Sequence, residues 1–422
     1  MGHCYLSTWD RKMASSKEPL LYLCHRIPFP PNKGDKIRSF NILKKLSENY
    51  DIHLGCFIDD PFDKKYAGDL IKHCCTVFYL DQNKIMAKVK GLKAFVTNKP
   101  ITLPYYFDKR MREWVNTMIT QHRINKVFVF SSSMAQYCQN EINSHNVVVD
   151  FSTLIRVIDF VDVDSDKWRQ YAESKKGLAK WAFNREHRLL AKVENEICQQ
   201  FDYSLFVSSD EAELFRQRQP RERQNKVYGV LNGVDTTFFD PLAKFSDEAL
   251  VPKVDFIAFT GAMDYWANID AVLWFVEKIW PTILLKKPQA QFIIVGGNPS
   301  ADVKKLARQQ GVIVTGRVND IRPFITKAQC VVAPIRIARG IQNKVLEAMS
   351  LNKAIILTSM AMEGINAPDS DGIHILDEPH SFAEQCIAYL SDKKAKEKNN
   401  REWILTQFTW KQTLQSLEQY FI

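Results

Sequence analysis

The segment VDFIAFTGAMDYWANIDAVLWF (254–275) decides the fold. Its first part, VDFIAFTG, is an almost unbroken apolar run closed by Thr260-Gly261. Such a run, without polar alternation, reads as a strand covered on both faces, the condition of a parallel sheet. A polar loop follows, and the pattern over 268–286 predicts a helix with Asn268 as its cap. The same unit recurs downstream in QFIIVGG (291–297), VIVTG (312–316), CVVAPI (330–335) and AIILTS (354–359), with helical patterns at 301–310, 341–350 and 380–391. It also recurs upstream, in LLYLCH (20–25), IHLGCFI (52–58), VFYL (77–80), KVFVFS (126–131), NVVVDF (146–151) and YSLFVS (203–208), with helices expected at 34–48 and 184–200. Strand alternating with helix means an α/β chain with right-handed crossovers.

A polar stretch at 235–253 separates the two series of strands. The boundary is expected there, giving a 1–18 extension, a first domain at 19–245, a second at 246–400, and a closing segment at 401–422. Each half is long enough for its own doubly wound sheet. Ligands of such sheets bind beyond the carboxyl ends of the strands. Two facing halves therefore predict one cleft.

The chain has 422 residues, of which 45% are hydrophobic and 25% charged, which excludes disordered and collagen-like classes. Lys and Arg number 57 against 48 acids, a net charge of +9 that permits contact with phosphates or an anionic membrane without demanding it. A dense basic stripe with interleaved aromatics is absent, so nucleic acid is not an expected partner. Nine irregularly spaced cysteines, with no CxxC pair, point to a reducing compartment and to no zinc ribbon. The start MGHCYLSTWDRKMASSKEP has no apolar signal core, and no run is long enough to span a bilayer. The expected location is cytoplasmic.

Five segments carry candidate chemistry. In PFPPNKGDKIRSFNILKKL (28–46), Gly34 opens a helix whose amino end suits an anion, with Lys33, Lys36 and Arg38 adding charge. It is neither a GxGxxG nor a P-loop, which removes support for hydride transfer and ATP hydrolysis. In LNGVD (231–235), Asn-Gly is a turn signal at the boundary. In 259–275, Gly261 lets backbone approach a ligand. In APIRIARGIQNKVLEAMS (333–350), Arg336, Arg339 and Gly340 precede a helix bearing Lys344 and Glu347. Arg and Lys at a helix amino end can hold a diphosphate, and a carboxylate one turn on can accept from ribose hydroxyls. Just before it, Gly316 and Arg317 sit at a strand end where backbone groups could meet a nucleobase. In RVIDFVDVDSDKWRQYA (156–172), the aspartates lack the glycine and final glutamate of a calcium loop. Asp159 and Asp162 follow an apolar run and are candidate catalytic or acceptor-orienting groups, while Asp164 and Asp166 read as helix caps. A further stretch, KIMAKVKGLKAFVTNK (84–99), has lysines, no acids and apolar residues at helical spacing, the pattern of a helix lying on an anionic membrane.

These segments together resemble the GT-B glycosyltransferases of family 4, nearest the sugar transferases associated with PEP-CTERM exopolysaccharide systems. The resemblance is carried by RIPFPPNKGDKIRSFN (26–41), VIDFVDVDSDKW (157–168), NGVD (232–235), FTGAMDYWANIDAVLWF (259–275) and RGIQNKVLEAM (339–349), in the family's order, with FTW (408–410) like its closing helix. It implies two Rossmann-like doubly wound domains facing across a cleft, with the closing helix returning to the first. It implies a hexosyltransferase-like enzyme of polysaccharide biosynthesis that retains anomeric configuration. It also implies no metal or cofactor, a nucleotide-sugar (UDP by default) as donor, and a glycan or lipid-linked acceptor. The enzyme would be cytoplasmic or peripheral on the inner face of the cell membrane. Glu347 matches the second Glu of the family's Glu-x7-Glu motif; Arg339 stands where the first would be. The Arg and Lys that often follow the first strand of the second domain are replaced by GAMDYW. Arg336, Arg339 and Lys344 are the substitutes. Gly34 matches the glycine loop facing the donor phosphates. Two other readings compete: a scaffold subunit that binds nucleotide-sugar without turnover, and a GT-B-like nucleotide-sugar epimerase.

Overall fold

The computed structural model describes residues 3–7, 17–83, 94, 98–139, 149–173, 175–246, 248–337, 340–368, 370–391 and 400–422. The chain divides into two compact units, Met1–Val230 with Leu414–Ile422, and Leu231–Thr413.

In the first unit, β2 (Glu18–Cys24), β3 (Tyr50–Ile58), β4 (Thr76–Asp81), β5 (Lys126–Phe130), β6 (Ile155–Val161), β7 (Tyr203–Phe206) and β8 (Val227–Gly229) form a parallel sheet. The order is β4-β3-β2-β5-β6-β7-β8, and β1 (His3–Ser7) pairs antiparallel with β4 at the edge. Leu20 to Cys24 are wholly buried, as the unbroken apolar run requires. Helices α1 (Gly34–Leu46), α2 (Lys109–His122), α3 (Asp164–Glu173) and α4 (Gly177–Gln200) belong to this unit. Burying each Leu, Ile or Phe of such a core contributes about 1.5–3 kcal/mol. The segment Leu417–Phe421 packs on the same sheet, with the Tyr420 ring 5.2 Å from those of Tyr203 and Tyr228.

The second unit repeats the plan with β9 (Phe256–Thr260), β10 (Gln291–Val295), β11 (Val312–Gly316), β12 (Cys330–Ala333), β13 (Ile355–Leu357) and β14 (Ile373–Ile375) in the order β11-β10-β9-β12-β13-β14, all parallel. Its principal helices are α5 (Trp266–Trp274), α6 (Asn343–Ser350) and α7 (Pro379–Ser391). After α5 the helix widens into a π turn at Phe275–Ile279 before Trp280–Lys286. Pro281 has no N–H for the regular ladder, which accounts for the local change of winding.

Four expectations are corrected. Residues 3–7 are a sheet-edge strand rather than loose extension. The strand expected at 146–151 is not one where described: Phe151–Thr153 is a single 3-10 turn, and the sheet uses Ile155–Val161 instead. Asp159 interrupts the apolar pattern of that strand, and its charge is neutralised by Arg38, distant in sequence. Strands β8 and β14, each of three residues, are too short for periodicity to reveal. The boundary falls at 230/231, not 245. Val234 and Phe239 are core residues of the second unit, Val234 bridges Thr409, and Arg401 donates to the carbonyls of Thr236 and Phe239.

Candidate functional site: the carboxyl edge of the second sheet

From β9 the second sheet winds outward through β10 and β11, then returns to β12 on the other side of β9. The carboxyl ends of β9 and β12 thus flank the point where strand order reverses, where doubly wound sheets bind ligands. Three loops at this edge are stitched together. The Gly261 N–H donates to Val295 O at 3.0 Å, Met263 N–H to Gly297 O at 3.0 Å, and Gly296 N–H to Gly316 O at 3.2 Å. The stitching requires glycine at 296, where a Cβ would lie 1.7 Å from the Gly261 carbonyl oxygen. Gly261 itself has φ +153, and a Cβ there would meet Asn268 Nδ2 at 2.7 Å.

Gly296→Ala is therefore expected to displace the 261–265 loop, costing about 1–3 kcal/mol of stability. Gly297→Ala, whose Cβ would sit 3.5 Å from the mobile end of Arg317, should be tolerated. Thermal melting midpoints read both. Equal behaviour of the two variants would contradict the stitched-loop geometry.

Asn268 and Lys344 join the two halves of the edge. Asn268, 5% exposed, donates through Nδ2 to Ala262 O at 2.9 Å and accepts at Oδ1 from Lys344 Nζ at 2.6 Å. It is a bridge within the first turn of α5, not the expected cap; Tyr265 holds the cap position. Lys344, 8% exposed, opens α6, and its ammonium lies 5.0 Å from the centre of the Phe259 ring. Burial pushes the amine down to about 8, with Glu347 acting the other way. Burial likewise pushes Glu347 up to about 7, against the pull of Lys344. No hydrogen-bond donor among the described residues reaches the Glu347 carboxylate. The hydroxyl of Thr260, buried at the end of β9, also has no partner among them. Asn232 of the LNGVD turn donates to Asn343 Oδ1 at 3.1 Å, so this turn touches the first residue of α6.

The other expected residues of this unit are placed as follows. Arg336 does not share the Lys344 bridge. It makes a two-point ion pair with Asp270 of α5, at 2.6 and 3.1 Å, and lies over the Trp274 ring. Gly316, with φ +72, faces open space, and Arg317 beside it is exposed. Gly340 is buried with φ +70. Arg339 lies outside the described residues. Asp270 was not singled out in the sequence, and Asn232 was read there only as the turn signal of LNGVD; Asp270 sits in no pattern that signals chemistry.

In the first unit the reading changes more. Gly34 does begin α1, but its neighbouring charges are consumed internally. Lys36 is buried against Asp63 at 2.9 Å, and Arg38 is buried against Asp159 at 2.8 Å. Arg38 also donates to Val230 O, and the Val161 N–H donates to Asp159 Oδ1. Asp159, an expected catalytic candidate, is wholly buried in an ion pair that ties α1, β6 and the end of β8 together, a placement that suits a structural role. Burial raises its carboxyl above the usual range, with Arg38 opposing. Asp162 is near the surface and pairs with Lys167 at 2.7 Å. Asp166 is no cap: it is buried between Arg169 and Arg218, at 2.9 and 2.6 Å. Beyond β2, at this sheet's own reversal point, Asp35 gathers Arg26 at 2.8 Å and His25 at 3.3 Å. Burial acts to raise the Asp35 carboxyl, but the bonds and charges of His25 and Arg26 prevail and hold it well below the ordinary range.

Two doubly wound parallel-sheet units of this kind make up the GT-B fold. The similarity extends over nearly the whole chain. Alr3699/HepE from Anabaena, solved in complex with UDP and glucose, superposes with a TM-score of 0.65 at 14% identity, covering 95% of this chain and 98% of that one. Sucrose-phosphate synthase from Thermosynechococcus elongatus superposes with a TM-score of 0.67 at 15% identity, covering 96% and 98%. Residues 255–392, which hold the whole edge from β9 to α6, match the model of the family described as Glycosyl transferases group 1. In sequence the chain is 19% identical, over 86% of its length and 88% of the relative's, to an uncharacterized 44.6 kDa protein in the cps region of Klebsiella pneumoniae. Among the described residues no helix is long and apolar enough to cross a membrane.

Proposed function

We propose that the protein is a retaining glycosyltransferase of family 4 that takes a sugar from a nucleotide-sugar, a UDP-sugar by default, and passes it to a glycan or lipid-linked acceptor in polysaccharide synthesis. The observation that carries the reading is the Lys344–Asn268 bridge at the reversal point of the second sheet, with Glu347 one turn further along α6. The family match over 255–392 encloses all three residues, and a relative in a cps region supports the polysaccharide role.

The chemistry follows from charge. As the bond from C1 to the diphosphate oxygen breaks, the departing diphosphate gains a negative charge. The Lys344 ammonium stabilises that charge at the amino end of α6. The acceptor hydroxyl bonds to C1 on the same face, and its proton passes to the departing phosphate. Glu347 accepts from the ribose hydroxyls.

The titration of the pair gives a signature. Lys344 must be protonated to hold a diphosphate, which fails as pH rises through about 8. Glu347 must be ionised to accept from ribose, which fails as pH falls through about 7. Calorimetric affinity for a UDP-sugar is expected to peak between these values. Glu347→Gln should remove the acid limb and Lys344→Ala the alkaline one. A flat profile in the native protein contradicts the assignment.

The reading is tested by a screen of UDP-, GDP-, ADP- and CMP-sugars for thermal stabilisation and slow hydrolysis, followed by NMR of the anomeric proton of any product. One stabilising nucleotide class and a retained anomer are the expected results. Stabilisation without turnover toward any acceptor would favour a scaffold, and no stabilisation would remove the donor site.

A further inference from the structure

Helix α4 has 24 residues, but its two ends differ. Leu190, Ile197 and Cys198, toward its carboxyl end, are core residues. At its amino end Leu178 is 86% exposed and Trp181 is 56% exposed. They stand three residues apart and so share one face of the helix. Lys175, Lys176 and Lys180 surround them, all exposed, and none is in an ion pair among the described residues. The nearby acids are already engaged. Glu173 is paired with Arg169 at 2.6 Å, and buried Glu186 accepts from the Ile101 N–H at 2.7 Å. The exposed end is also held in place. Phe183 packs on Trp168 with ring centres 5.3 Å apart, and Arg185 donates to Ala94 O at 2.7 Å and to Lys99 O at 3.4 Å.

We infer that the amino-terminal end of α4 is a docking surface for an anionic lipid bilayer. Two apolar side chains cover far less than the roughly 800 Å² that each partner buries in a stable protein interface. They suffice for shallow insertion at the boundary of headgroups and acyl chains when charge assists. Trp suits that boundary because its ring is apolar and its N–H polar. The lysines complement lipid phosphates, and the local absence of available acid removes repulsion. Arg185 also ties this helix to positions within the 84–99 stretch, whose sequence carries lysines and no acid. The inference is independent of sugar transfer, because its readout is lipid binding.

The full chain is tested by flotation with vesicles of phosphatidylcholine alone and of phosphatidylcholine with phosphatidylglycerol. Binding only to the anionic vesicles, weakened by salt, is expected. At about 1 kcal/mol per lysine near an anionic surface, reversing three lysines (K175E/K176E/K180E) should weaken partition by more than roughly 100-fold. L178S/W181S should weaken it about tenfold or more at unchanged charge. All five positions are exposed, so melting midpoints serve as the control for folding. Equal binding to zwitterionic vesicles, no binding to anionic ones, or native-like binding of either variant would overturn the inference. The second outcome would leave this face to a protein partner, and the third would place the lipid contact elsewhere.

Discussion

Lys344→Ala is expected to lower kcat/KM for the nucleotide-sugar by about 10²–10³-fold, the loss typical of removing one preorganised stabiliser of transition-state charge. The fall should appear mainly in kcat, since the charge develops as the diphosphate departs. Stability should change little. The variant removes a buried ammonium, and Asn268 keeps its bond to Ala262 O. Lys344→Arg should not restore activity, because a site 8% exposed and closed by Asn268 and Phe259 has little room for a planar fork. The comparison with Arg336→Ala decides between the two cations. Arg336 is 44% exposed and paired with Asp270, so its removal should cost less than about 1 kcal/mol of stability and leave most turnover. If Arg336→Ala were the crippled variant and Lys344→Ala nearly normal, the spacing argument that ranked both equally would be closer to the truth than the bridge geometry.

Asp159→Ala is expected to destabilise the first unit by about 3–5 kcal/mol, because it leaves the Arg38 guanidinium buried without its counter-charge. Urea unfolding measures this directly. Replacing the pair together, Arg38→Met with Asp159→Leu, should recover much of the loss, since it removes the buried charges along with the need to neutralise them. Asp162→Ala breaks only a partly exposed pair with Lys167 and should stay within about 1 kcal/mol of the native protein. A fully stable Asp159→Asn protein with no turnover would return Asp159 to the catalytic list.

The elements that carry the candidate site were legible because local pattern marks the ends of buried strands. Thr260-Gly261, Gly316 and Lys344 all follow strands whose apolar runs are continuous, and in a doubly wound sheet the ends of such strands are where ligands bind. Asn268 was read as a cap because an amide near a helix start ordinarily caps it; its partner, Lys344, is on another helix and leaves no local trace. The aspartates of 156–172 were misread for a related reason. Four acids in a short span suggest a cleft or caps, yet Asp159 and Asp166 are buried beside arginines far away in the chain, Arg38 and Arg218. Residues 235–253 look like a linker by composition, but Phe239 within them and Val234 just before them fill the second core.

The sequence by itself determined the two parallel-sheet halves, the positions of most strands, and the helix that bears Lys344 and Glu347. Burial on both faces of a strand and the helical repeat are written in neighbouring residues. Only the tertiary structure decided which charges are available. Lys36, Arg38, Asp159 and Asp166 are consumed in buried pairs, Arg336 is taken by Asp270, and Lys344 is held by one amide beside Glu347. An ion pair across a fold depends on which distant segments the sheet order brings together, and no local pattern encodes that choice.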